Sequence, residues 1–123
     1  MSERRQQAGR AGEELAAEYL KSQGFKIVDR NYRCRLGEID IIAEENGVTV
    51  FIEVRSRTGS SCGNPEESVT YKKGLTLKKL AKRYMQQKYG REVASRIDLV
   101  AVMLNSDVLS LRNLTHYRGI LSG

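Results

Sequence analysis

The chain has 123 residues, 40% of them apolar and 29% charged, with a formal charge of +6. That is the composition of one ordinary folded domain with a single core, and it excludes a disordered or disulfide-scaffold protein. No apolar run is long enough to cross a membrane, and the opening MSERRQQAGR lacks the apolar stretch of a secretory leader.

Cys34 and Cys62 have no CxxC spacing and His116 is the sole histidine, so zinc is not expected and a reducing cytoplasm is. Residues 1–35 carry net +3, residues 36–53 net −5, residues 54–91 net +8 and residues 92–123 zero. An acidic segment between basic ones suits a polyanion held near a bound cation, although solvated lysine faces give similar totals.

The first periodic segment runs from about Arg5 to Gln23 and stops at Gly24. Ala8, Gly12, Leu15, Ala16, Tyr19 and Leu20 share one helical face. Glu13 falls at the margin of that face, where it can be directed along a sheet or simply solvated, and Glu14 points away from it. Phe25 to Tyr32 reads as a strand with Phe25 and Ile27 inward, and the basic link RCRLG follows it.

GEIDIIAEENGVTVFIEVRSR, residues 37–57, is a hairpin around Asn46-Gly47, a pair suited to a type I′ turn. That turn sets Glu45 opposite Val48, Glu44 opposite Thr49, Ile42 opposite Phe51 and Ile41 opposite Ile52. Continued, the register sets Asp40 opposite Glu53 and Glu38 opposite Arg55, all four on one face. Ile39, Ile41, Val50, Ile52 and Val54 then face the other way, toward a helix. Opposed carboxylates repel unless a cation lies between them, and converging carboxylate oxygens are the donors that Mg²⁺ takes. The same face also reads as a solvated sheet edge on which Arg55 neutralises the acids.

Residues 58–67 form a Gly/Ser loop holding the only proline, Pro65. A second helix is expected from Ser68 to Tyr89, ending at Gly90, with its true start nearer Leu75 because Gly74 weakens a helix. Leu77, Leu80, Ala81 and Tyr84 give it an apolar stripe. Arg96 to Leu104 is a nearly continuous apolar strand, Asn105-Ser106-Asp107 a turn, and Val108 to Tyr117 a last strand. The order α-β-β-β-α-β-β over residues 1–123 makes an α/β domain whose mixed central sheet has a helix on each face. Its strand–helix–strand step is a parallel crossover.

GRAGEELAAEYL, NYRCRLGEIDIIAEENGVTVFIEVRSR, SVTYKK and SRIDLVAV together resemble the bacterial YraN-type family over nearly the whole chain. That family is similar to archaeal Holliday-junction resolvases, within the restriction-endonuclease-like PD-(D/E)XK superfamily. The resemblance implies a nuclease fold and a metal-dependent endonuclease acting on branched, flapped or single-stranded DNA. A non-catalytic nucleic-acid-binding or adaptor module on the same fold is the alternative.

By that resemblance Asp40 and Glu53, with the Val54 carbonyl, hold Mg²⁺ or Mn²⁺, and Glu13 orients the water shell or a second ion. Arg55 stands where the superfamily motif has lysine, and Lys73 comes from the second helix. Arginine stays charged at all relevant pH, so Arg55 is expected to clamp phosphate and not to act as a base. Arg55, Arg57, Lys72 and Lys73 are the cations expected on nucleic acid. A homodimer would suit two-fold substrates, a DNA-processing protein partner is open, and no membrane partner is expected.

Overall fold

The structure is a computed structural model that describes residues 3–59 and 70–121, apart from the side chains of Arg4 and Arg5. In chain order the elements are α1 (Glu3–Ser22), β1 (Lys26–Cys34), β2 (Gly37–Glu45), β3 (Val48–Thr58), α2 (Tyr71–Tyr89), β4 (Ser95–Leu104) and β5 (Leu111–Tyr117). This is the expected α-β-β-β-α-β-β order. The five strands lie in one sheet in sequence order, antiparallel except for the parallel β3–β4 pair. A parallel neighbour needs a crossover, and α2 supplies it.

Each sheet face carries its own apolar cluster. On one, Ala16, Ala17 and Leu20 of α1 pack with Ile41, Ala43, Val50, Ile52, Val100 and Val102. On the other, Leu77, Leu80, Ala81, Tyr84 and Met85 of α2 pack with Ile39, Ile42, Phe51 and Ile97. A sheet covered on both faces explains why β4 is almost wholly apolar. Asn46 and Gly47 both have positive φ, 51° and 80°, so the hairpin turn is type I′. The ladder from Glu45↔Val48 to Ile41↔Ile52 has the register that the turn dictates.

Several expectations are corrected. The β2–β3 ladder ends at Ile41↔Ile52, so neither Asp40 and Glu53 nor Glu38 and Arg55 are ladder partners. Ile39 packs with α2, not with Ile41 and α1. α2 starts at Tyr71, capped by the Thr70 side chain accepting from the Lys73 N–H, which places Gly74 inside the helix. A Cβ at Gly74 would lie 3.1 Å from Leu121, so the glycine accommodates the returning C-terminal segment. β5 begins at Leu111 because Leu109 turns left-handed at φ 50° and Asn105 bonds to Ser110. Cys62, Pro65, Ser68 and the rest of residues 60–69 lie outside the described residues.

α1 lies against β3 at Gly12, the residue before Glu13. A Cβ there would stand 1.8 Å from Ser56 Oγ and 2.9 Å from its Cβ. Gly12→Ala should therefore cost about 1–3 kcal/mol, as overpacking does. Adding Ser56→Gly should recover most of that loss in a urea unfolding comparison, and no recovery would mean that the two residues do not limit the approach.

Candidate functional site

Where the β2–β3 ladder stops, the Asp40 carboxylate takes over its hydrogen bonding. The Val54 N–H donates to Asp40 Oδ2 at 2.8 Å. Val54 is thereby tied to β2 through a side chain, and the two strands part around Asp40 and Glu53, both buried at 9% and 4% exposure. Glu53 alternates with Ile52, which faces α1, and so turns toward the α2 side. Arg55 Nη2 lies 3.0 Å from Glu53 Oε2, and Lys73 Nζ, from the first turn of α2, lies 3.5 Å from the same oxygen.

The two acids are close enough for the Glu53 carboxylate to act on that of Asp40. Burial first, and then the Glu53 charge, push the Asp40 carboxyl up to about 8, against the opposing Val54 N–H bond. Glu13 adds to the upward push on Asp40. The Glu13 carboxyl is itself raised, by burial and by the Glu38 charge, which together outweigh Arg30 and Arg33. Glu38 pairs with Arg33 of β1, and not with Arg55 as the extended register implied.

Asp40, Glu53, Arg55 and Lys73 are thus drawn together from β2, β3 and α2, while Glu13 of α1 acts on Asp40 only through its charge. Lys72 is exposed one residue from Lys73. Arg57 lies further along β3, where it and Arg55 line a small cavity with Ala101, Met103, Asn113 and Thr115. On the α1 side an open groove of about 610 Å³ is lined by Arg10, Glu13, Glu14, Arg30, Asn31 and Arg33.

The donor set fits a hard divalent cation in one respect. Asp40 and Glu53 offer oxygen ligands that repel each other, and Mg²⁺ commonly takes one or two carboxylates and keeps its waters. Among the described residues no group of three or more His, Cys, Asp or Glu side chains is placed to hold a metal ion.

Sequence reasoning passed over a second buried acid. Asp98, with no exposed surface, lies in the apolar run of β4. It accepts from Arg96 Nε at 3.0 Å, from the Gly119 N–H at 2.9 Å and from His116 Nε2 at 2.8 Å. His116 Nδ1 lies 3.0 Å from the Tyr19 hydroxyl. Burial would raise the Asp98 carboxyl, but His116, Arg96 and Gly119 outweigh it and hold it below the usual range. Arg96 also bonds Glu45, which Arg118 reaches at 2.7 Å. An acid inside an apolar strand and a lone histidine were the signals available. The network ties β5 and the following segment to α1 and β2.

The fold defines the class: an α/β protein whose architecture is consistent with a restriction-endonuclease-like fold. The profile of the uncharacterised protein family UPF0102, the YraN family, matches residues 12–102, and the chain belongs to that family. A UPF0102 protein of Desulforamulus reducens is 41% identical over 98% of this chain and 100% of its own. Relatives from Desulfitobacterium hafniense and Pelotomaculum thermopropionicum are 42% and 39% identical, covering 98% and 95% of this chain and 100% and 97% of theirs. Among the described residues no helix is long and apolar enough to cross a membrane.

A raised carboxyl destabilises the fold progressively as pH climbs from its unfolded value, 3.8, toward about 8, because the unfolded chain releases its proton first. Asp40→Asn removes that penalty while its amide oxygen can still accept from Val54. With divalent ions chelated, the variant should gain stability over the parent at pH 8, on the order of 1 kcal/mol or more. The gain should shrink toward pH 4. A constant difference in urea midpoint across that range would show that Asp40 is not held protonated.

Proposed function

We propose that the protein is a divalent-metal-dependent endonuclease hydrolysing phosphodiester bonds in structured DNA, whether branched, flapped or single-stranded. The observation that carries this reading is the Asp40–Glu53 pair, two buried carboxylates at the point where the β2–β3 ladder ends and Asp40 takes the Val54 N–H. A fold gains no stability from neighbouring buried acids, whereas a cation site uses them as ligands. Asp40 and Glu53 are the proposed ligands, with the Val54 carbonyl beside them, and Glu13 the group that orients water at the α1 side.

When bound, Mg²⁺ or Mn²⁺ supplies Lewis-acid polarisation of the phosphodiester and lowers the pKa of an attacking water. Arg55 and Lys73 already reach Glu53, so the phosphate of a substrate held at this carboxylate falls within their range. Arg55, permanently charged, donates to a phosphate oxygen and stabilises the charge that builds on it, without taking a proton. Lys73 provides the second cation, and Arg57 and Lys72 hold neighbouring backbone phosphates. The basic α2, with seven Lys/Arg and no acid between Tyr71 and Tyr89, extends that attraction away from the acids.

One observation favours a second reading. Arg55 and Lys73 neutralise Glu53 between them, an ion-pair set that a binding or adaptor module could keep for structure alone. Cleavage of labelled four-way junctions, flaps, single strands and linear duplex in Mg²⁺ and Mn²⁺ separates the two. The nuclease reading predicts metal-dependent cutting that falls more than about a hundredfold in Asp40→Asn and Glu53→Gln, since even outer-shell partners cost up to that. Arg55→Lys should keep cutting. No cutting by any of these proteins, with equal salt-sensitive binding by parent and Asp40→Asn, would support the binding module instead.

A further inference from the structure

The β1–β2 ribbon turns over at one position. Arg30 pairs with Ile41 and Tyr32 with Ile39, in unbroken register, but the intervening Asn31 and Asp40 are not ladder partners. Residues two apart on a strand should share a face. Here Arg30 bonds Glu14 of α1, while Tyr32 bonds Gln87 and packs edge-on against Tyr84, both of α2. Ile41 and Ile39 part in the same way, the first to the α1 cluster and the second to the α2 cluster. At the pivot Asn31 has a left-handed backbone, φ 54°, a conformation that asparagine tolerates better than other side-chain-bearing residues.

We infer that Asn31 is a positioning residue for Asp40: its left-handed backbone turns the ribbon over and aims the Asp40 carboxylate at Glu53 and the Val54 N–H. A regular ribbon would keep Arg30, Tyr32, Ile39 and Ile41 on one face, because directly opposed residues share a face and residues two apart on a strand do too. Asp40 would then pair with Asn31 as a ladder residue. With the ribbon turned over, Asp40 leaves the β1 ladder at the point where the β2–β3 ladder also ends, and its carboxylate is left to bond Val54. The role lies in the backbone of Asn31. Its side chain lines the groove beside Glu13 but is not what orients Asp40.

The consequence for a bound cation rests on the reading of Asp40 and Glu53 as ligands, so the test has one arm that needs no metal. Asn31→Gly keeps the left-handed conformation, and Asn31→Ala and Asn31→Val disfavour it increasingly. In the metal-free chain, amide exchange at Val54 should stay as slow in Asn31→Gly as in the parent and quicken about tenfold in Asn31→Ala. In Mn²⁺ titrations, half-saturation should stay within about twofold for Asn31→Gly and weaken about tenfold for Asn31→Ala, more for Asn31→Val.

If Asn31→Val fails to fold, the alanine and glycine variants decide the matter. A lower urea midpoint in Asn31→Ala with unchanged Val54 exchange and Mn²⁺ half-saturation would overturn the proposal, as a merely structural role. Equal losses in Asn31→Gly and Asn31→Ala would overturn it in favour of the side chain. If the parent itself shows no Mn²⁺ response, the ligand reading fails, and Val54 exchange alone still tests Asn31.

Discussion

The hydrogen bond from the Val54 N–H to the Asp40 carboxylate is the constraint on which the site depends. A backbone donor buried in a sheet must find an acceptor, and here the acceptor is a side chain in place of the next strand's carbonyl. That substitution lets β2 and β3 separate without leaving an orphaned donor. It also commits a carboxylate to a place from which water is largely excluded, beside a second carboxylate. The raised proton affinity of Asp40 is the direct result of that placement.

Asp98 shows how differently the same chain treats an acid kept for structure. Both acids are buried, yet Asp98 receives donors from Arg96, His116 and Gly119, and its carboxyl is held down. Asp40 receives one backbone donor and faces Glu53 and Glu13. The nearby cations Arg55 and Lys73 both reach Glu53. One network is closed and self-sufficient; the other leaves Asp40 short of positive charge. The cores on either face hold that imbalance in place, since α1 brings Glu13 and α2 brings Lys73 only while both helices stay docked.

Much of this was legible in the residues. Asn-Gly between two Ile/Val-rich runs determined the hairpin register, because a type I′ turn allows one pairing and side-chain alternation carries it outward. The stripe Leu77, Leu80, Ala81 and Tyr84 marked the buried face of α2, and the face from Ala8 to Leu20 marked that of α1. Extrapolating the register past Ile41 failed. Alternation is a property of a regular ribbon, and no residue type announces that a ladder stops. Asn31 is a common turn residue, and only its neighbours' divergent packing shows that it sits at a pivot. Gly74 looked like a helix breaker because Leu121, which fills the space it leaves, is distant in sequence. The acids still meet, by convergence across a gap and not by direct opposition.

The measurement that bears most directly on the central claim is calorimetry of Mn²⁺ binding near pH 7 in two buffers of different ionisation heat. An Asp40 carboxyl pushed up to about 8 must give up its proton to become a ligand. The account predicts that a proton is released as the ion binds, and much weaker binding by Asp40→Asn. Mn²⁺ bound without proton release, or bound equally well by Asp40→Asn, would contradict it.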